Sequence, residues 1–320
     1  MKTKRFALLA CMLAAGTSLF LGAAALAPSE LLTGTATAAG RIFWYVRVPR
    51  TAACLLAGAA LSAAGFVIQN VLGNPLASPN IIGVNAGAGL AVTVCCAAGC
   101  LSGWAVAAAA FGGAFLAVLV VSAAARLAGA APTTVILAGV AINATLGAMS
   151  DTVTNLVPDA GVLSSDFRVG GFGAVTTARL IPAGLLILLA LGAALLLTNE
   201  LEVLSLGDDT ARSLGLNAAR MRTVFLALAA VLCGSAVSFA GLLGFVGLIV
   251  PHAVRRFAGT GCRRVLPLCA LWGGTFVTVC DLAARLAFRP KELPVGILLS
   301  ALGGPFFLYI LWLRRRDGGC

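Results

Sequence analysis

The chain has 320 residues, of which 60% are hydrophobic and only 10% charged, and its formal net charge is +11. A soluble globular domain carries about 25% charged residues, so that class is excluded and a polytopic membrane protein is expected. The apolar runs are continuous and rich in Ala and Leu, whereas barrel strands alternate, so the fold class is all-α.

A bilayer core takes roughly 20 apolar residues per helix. About ten such runs form one transmembrane domain over residues 1–320. They fall near 6–28, 50–70, 81–102, 104–128, 133–155, 179–198, 220–240, 241–256, 264–288 and 293–313. The first opens on Lys2, Lys4 and Arg5 and has the form of a secretory signal with cleavage near Ala23 to Ala27. Its length and the nine spans behind it favour a retained helix instead. The eighth is short and follows the seventh without a polar break.

With the amino terminus inside, ten spans return Arg314, Arg315 and Arg316 to the cytoplasm, so both termini are expected there. On that topology 14 of the 22 Lys and Arg residues lie inside, among them Arg126, Arg212, Arg220, Arg222, Arg255, Arg256, Arg263 and Arg264. The other 8 lie outside: Arg41, Arg47, Arg50, Arg168, Arg179, Arg285, Arg289 and Lys291. The positive charge therefore follows from topology and membrane-lipid contact, and no nucleic-acid partner is implied. Arg47, Arg50 and Arg285 stand at the outer ends of spans and mark a docking face for an acidic partner. Arg47 and Arg50, at i and i+3, share a face if that stretch is helical, and Asp281 is placed to pair with Arg285 at i,i+4.

Ten cysteines lie mostly within apolar spans, where the residue is a small hydrophobe. A disulfide is conceivable only among Cys95, Cys96 and Cys100. No paired CxxC spacing and a single histidine argue against zinc, so no metal is expected. No G-x-x-x-x-G-K-[ST] loop occurs, so the chain is not expected to hydrolyse ATP, to be an enzyme or to hold a cofactor. Glycines at close spacing, Gly83 with Gly87 and Gly241 with Gly244 and Gly247, are assigned to helix packing. An offset of 176 aligns residues 58–83 with 234–259, matching Gly58 to Gly234, Gly65 to Gly241 and Pro75 to Pro251, as in an internal repeat.

Between the sixth and seventh spans, residues of about 200–217 form the longest inner polar connection. Asp208 or Asp209 can cap a short helix there, and Gly215 can end it in the left-handed conformation. Leu204, Leu206, Leu214 and Leu216 then flank it, either as incidental leucines of a solvated hairpin or as a lever toward a cytoplasmic partner.

Several blocks now carry a resemblance. Val46-Arg47-Val48-Pro49-Arg50 is similar to R-L-P-R at the start of the second span of FecCD-like permeases, the iron-complex and cobalamin branch of ABC importers. Gln69 with Asn74-Pro75-Leu76-Ala77-Ser78-Pro79 and Gly83, Leu137-Ala138-Gly139-Val140-Ala141, and Leu206-Gly207 through Ala211-Arg212 to Leu214-Gly215 resemble further blocks of that family in order. So do Gly244-Phe245-Val246-Gly247-Leu248-Ile249-Val250-Pro251-His252 with Arg255, and Glu292-Leu293-Pro294-Val295-Gly296 with Gly303 and Pro305-Phe306-Phe307. Gly73, Phe167 and Leu299 depart from the family's frequent arginine, tryptophan and threonine.

The resemblance implies a ten-helix type II importer permease, paired with a second copy of itself, in the cytoplasmic membrane. It implies a separate ABC ATPase dimer docked on Leu206, Gly207, Asp208, Asp209, Ala211, Arg212, Leu214 and Gly215. An extracytoplasmic substrate-binding protein would meet Arg47, Arg50 and Arg285 through its glutamates, pairs that serve orientation and encounter rate. Gln69, Asn74, Pro75, Thr133 and Thr134 would line or gate the path, and Gly247, Pro251 and His252 would form a structural signature. The cargo is expected to be an iron-siderophore chelate, with haem and cobalamin next. A proton-coupled secondary transporter is the alternative; it needs titratable groups in the spans, for which Asp151 and Asp281 are the candidates. A membrane-embedded enzyme would need a cluster of His, Asp, Glu or Ser-Lys groups at one depth, and the sequence offers none.

Overall fold

The computed structural model describes residues 2–22, 37–128, 131–259, 261–287 and 291–317. Ala23 to Ala27 and Arg289 lie outside the described residues, as do the side chains of Lys2, Arg314, Arg315 and Arg316. In chain order the helices are α1 (Lys2–Phe20), α2 (Ala38–Val71), α3 (Val84–Ala97), α4 (Gly103–Leu127), α5 (Pro132–Leu156), α6 (Pro158–Val169), α7 (Thr177–Leu196), α8 (Thr198–Ser205), α9 (Asp208–Ser213), α10 (Ala218–Ala240), α11 (Val246–Ala258), α12 (Cys262–Ala287) and α13 (Val295–Asp317). The architecture is all-α. Every expected span contains one of these helices, and α6, α8 and α9 are short additions. Six of them, α2, α4, α5, α7, α10 and α12, are long and apolar enough to cross a bilayer.

The axis of the bundle is α2, which packs against α10, α11 and α12. Its buried face is built from Ala53, Ala57, Ala60, Ala63 and Ala64, whose small side chains admit neighbouring backbones. A Cβ added to Gly58 would stand 2.2 Å from Gly273 O, and one on Gly65 would stand 2.0 Å from Gly247 O. Such crossings gain dispersion contacts in place of the hydrophobic drive that lipid removes.

The start of α2 is not regular. Phe43–Arg47 forms a π-helical turn, with Val48 N–H bonded to Phe43 O. Pro49 follows, without an N–H and with a ring that crowds the preceding carbonyls, and the widened turn accommodates it.

The eighth span is shorter than its apolar run predicts. Gly241 ends α10 with φ of 71°, and α11 begins only at Val246, after Phe245 with φ of 65°. Phe245 is the one non-glycine at positive φ among the described residues. Its ring occupies the space above Gly303, where a Cβ would lie 2.0 Å from the ring. The glycine assignment is thus corrected in part. Gly87 does meet Gly113 and Gly247 meets Gly65, but Gly83 is a left-handed N-cap and Gly244 has nothing within 4 Å. The repeat also fails as a structural repeat. Gly65 is mid-helix while Gly241 ends one, and Pro75 lies in a turn while Pro251 is inside α11.

Candidate functional site: a buried ion-pair cluster, an open helix and a projecting segment

At the end of the bundle where α1 finishes and α2 begins, here the distal end, three arginines converge. Arg50 Nε donates to both oxygens of Asp281 at 3.2 and 3.1 Å, and its Nη2 donates to Oδ1 at 2.9 Å. Its Nη1 donates to Glu292 Oε2 at 2.6 Å. Arg285 Nε lies 3.0 Å from Asp281 Oδ2, the i,i+4 pair that the sequence predicts. Arg285 Nη2 also donates to Ser18 Oγ at 2.8 Å. Arg47 Nη1 donates to the carbonyls of Leu19 and Phe20 at 2.9 and 2.7 Å, which are open acceptors at the end of α1.

This geometry corrects the expected docking face. Arg47, Arg50 and Arg285 are only 4%, 8% and 3% exposed, and Asp281 is fully buried. A charge held in an apolar bundle needs a counter-ion; Arg50 and Arg285 find theirs in Asp281, while Arg47 is held by the helix-end carbonyls of Leu19 and Phe20. Charges exposed at the same end include Arg41, Lys291, Asp166 and Arg168. Glu292, whose side chain is 38% exposed, is the member of the cluster open to solvent. It was legible only as part of a family block, because its partner Arg50 is 242 residues away.

Beside the cluster lies a cavity of about 470 Å³, lined by Arg50, Glu292, Asp166, Arg179 and Ser238 among others. Its walls include non-helical backbone that is satisfied across elements: Gly171 N–H bonds Ala240 O at 2.8 Å, Leu242 N–H bonds Phe167 O at 2.9 Å, and Gly296 N–H bonds Gly170 O at 3.2 Å. In a bilayer such backbone is tolerated only where protein or water covers it.

The expected path residues separate. Gln69 is buried, and its Nε2 donates to Gly247 O at 3.2 Å, so it fastens α2 to α11 and lines no passage. Asn74 and Pro75 belong to the turn that ends α2. Asn74 N–H bonds Gln69 O at 3.1 Å, Asn74 Oδ1 accepts from Leu76 N–H at 2.9 Å, and Gly73 takes φ of 56°. That is a Schellman-type end followed by an Asx turn, which gives the departure at Gly73 a backbone role. Thr133 is exposed and Thr134 half-buried at the start of α5.

Helix α5 itself is the open element. Only 17% of its apolar window is buried, and it exposes Ala141, Ala144, Thr145, Ala148, Asp151 and Thr152. Leu137, Val140 and Met149 are exposed on this helix as well, and the small and polar groups among them suit a protein or water neighbour better than lipid. Its inner side rests on the loop after α2. Asn143 Nδ2 donates to Asn80 O at 2.7 Å, and a Cβ on Gly139 would stand 2.0 Å from Ile81 O. That contact accounts for the glycine of the fifth-span block. Asn143 escaped notice in the sequence, although an amide in an apolar span was its signal.

At the opposite, proximal end, α8 and α9 form the segment at residues of about 200–217. Gly207, with φ of 104°, is the N-cap of α9, so Asp208 and Asp209 occupy its first turn rather than the cap position expected of them. They still favour the helix dipole there. Gly215 takes the left-handed conformation as expected, with φ of 81°. Its N–H bonds Arg212 O and Leu216 N–H bonds Ala211 O, both at 2.9 Å, a Schellman pair. Asp208 pairs with the buried Arg222 of α10, while Asp209 and Arg212 make a loose exposed pair at 3.7 Å. Leu204 and Ala211 are buried, whereas Leu206 and Leu214 are each 62% exposed. A pinned element therefore presents two leucines.

In the remaining block, Pro251 lies within α11, and the His252 ring meets Phe306 of α13 edge-on at 6.1 Å. Arg255 lies 5.0 Å from the centre of the Phe66 ring. The described cysteines are free thiols, Cys95, Cys96 and Cys100 included.

The FecCD transport family matches residues 8–313. The chain is 34% identical to the hemin transport system permease protein HmuU of Yersinia pestis, over 89% of this chain and 87% of that protein. It is 38% identical to the cobalamin import system permease protein BtuC of Halobacterium salinarum, over 90% and 78% respectively. A solved metal-chelate type ABC transporter in an inward-facing conformation superposes with a TM-score of 0.85 at 25% identity, covering 96% of this chain and 97% of that one. The chain belongs to the FecCD transport family, as a multi-pass permease of the ABC-importer type.

Proposed function

We propose that this permease carries a chelated metal compound across the cytoplasmic membrane, with an iron-siderophore chelate first among the cargos and haem and cobalamin next. Relatives that carry haem and cobalamin support the chemical class. Two copies of the chain would face each other across α5, whose exposed stripe of small residues offers a weakly interacting wall to a bulky cargo. Both termini, α8 and α9 would lie in the cytoplasm, and the binding protein would meet the distal end. The buried arginines would take part there only by opening their present contacts, so exposed cations, among them Arg41, Arg168 and Lys291, would make the first contacts.

The observation that carries the reading is the pair of exposed leucines on a segment anchored by Asp208 and Arg222. An ATPase dimer that closes on ATP can push on such an element without deforming it. Proton coupling finds little support by contrast, because Asp281 is locked between two guanidinium groups and Asp151 is left alone.

Leu206→Glu/Leu214→Glu is expected to abolish co-purification of the cognate ATPase while the melting temperature of the permease stays within about 2 °C, since both side chains are on the surface. Retention of the ATPase by this double variant would remove the segment from the interface.

A further inference from the structure

At the proximal end a second cleft, of about 550 Å³, opens between α1, α8, α11 and α12. Lys4, Arg263 and Arg264 line it, and all three are exposed. The one acid among its lining residues is Glu202, whose Oε1 lies 3.8 Å from the place a Cβ on Gly261 would take. The cleft borders the α8–α9 segment through Glu202, but neither Leu206 nor Leu214 lines it, and three cations to one carboxylate is an anion-binding balance.

The same helices carry an aromatic group in which Phe6 and Phe257 are exposed and Trp272 is half-buried. Phe6 stands two residues after Lys4 on α1, and Phe257 directly precedes Ala258, which lines the cleft. The Trp272 ring lies 6.0 Å from each of them. Along α12, Trp272 is about 12 Å beyond Arg264. Phe6 and Phe257 are 64% and 52% exposed. A basic cleft at a helix end with exposed Phe6 and Phe257 beside it and Trp272 about two turns deeper has the polarity profile of a single phospholipid.

We propose that this cleft holds the phosphate of an anionic membrane phospholipid, with its acyl chain along Phe6, Phe257 and Trp272. Basic pockets between transmembrane helices on the cytoplasmic side select anionic head groups, and each basic side chain near the surface is worth about a five-fold preference. The occupant is taken to be a lipid and not free phosphate because the exposed Phe6 and Phe257 rings would otherwise be left without a partner of matching depth. Glu202 would moderate the affinity and leave the lipid exchangeable.

The test is native mass spectrometry of the full chain in detergent, with phosphatidylglycerol and phosphatidylcholine of identical acyl chains as competing probes and inorganic phosphate as a separate one. The wild type should retain phosphatidylglycerol preferentially. Arg263→Gln/Arg264→Gln should lower that preference about 25-fold, Glu202→Gln should raise it, and Arg126→Gln, at another helix end, should leave it unchanged. The substituted side chains are exposed, so an unaltered elution profile is expected to confirm that each variant is folded. An unchanged preference in the double variant would overturn the site. Displacement of phosphatidylglycerol by millimolar phosphate would overturn the lipid as its occupant.

Discussion

Asp281→Asn is expected to cost about 3–5 kcal/mol of stability, the largest effect of any single side-chain substitution here, because breaking a buried pair leaves its partners uncompensated. The carboxylate is fully buried and serves Arg50 and Arg285 together, each less than one-tenth exposed. Asparagine keeps the shape and one acceptor but removes the charge that both cations require. Glu292→Gln removes the other acid of the cluster, yet that side chain is 38% exposed. Water can solvate the freed Arg50 Nη1 there, and the loss should stay near 1 kcal/mol. Thermal unfolding in detergent separates the two cases. Adding Arg285→Leu to Asp281→Asn should recover part of the loss, since an apolar replacement of a buried pair is often tolerated. Equal melting temperatures for Asp281→Asn and Glu292→Gln would show that the cluster is not buried as described.

The second large effect is expected where helix backbones touch. Gly65→Ala places a Cβ 2.0 Å from Gly247 O, and Gly58→Ala places one 2.2 Å from Gly273 O. The obstructing atoms are main chain, so no rotamer change relieves the clash and α2 must move away from α11 or α12. Overpacking costs about 1–3 kcal/mol per site, and these two belong at the upper end. Gly16→Ala and Gly112→Ala meet nothing within 4 Å and serve as controls. In these helix interiors alanine is expected to be neutral or to stabilise by about 0.5–1 kcal/mol. Folded yield from size exclusion and the melting temperature report on both pairs.

The length of the apolar runs was enough to place a helix in every expected span, six of them long and apolar enough to cross a bilayer. A bilayer demands an apolar run of fixed size, and the residues that meet it are local. The break between α10 and α11 was hidden for the opposite reason. Gly241 to Phe245 carries no polar side chain, and Leu242 N–H is bonded to Phe167 O, a distant partner that no window on the sequence reveals. The i,i+4 link between Asp281 and Arg285 was legible on one helix, while the bond from Arg50 to Asp281 spans 231 residues. Read without those partners, the arginines looked like surface groups. Gln69, which the family resemblance put on the path, donates instead to Gly247 O, 178 residues away. The α8–α9 segment was clearer, because charges, leucines and glycines there act over a few residues. Even so, Gly207 took the cap that Asp208 was expected to fill.

The importer reading is tested most directly by uptake into proteoliposomes that hold this permease with its candidate ATPase, with the binding protein and labelled ferric siderophore, haem or cobalamin outside. The account predicts accumulation of one of these chelates only when ATP is inside and the binding protein is present. Accumulation driven by a proton gradient without ATP would contradict it.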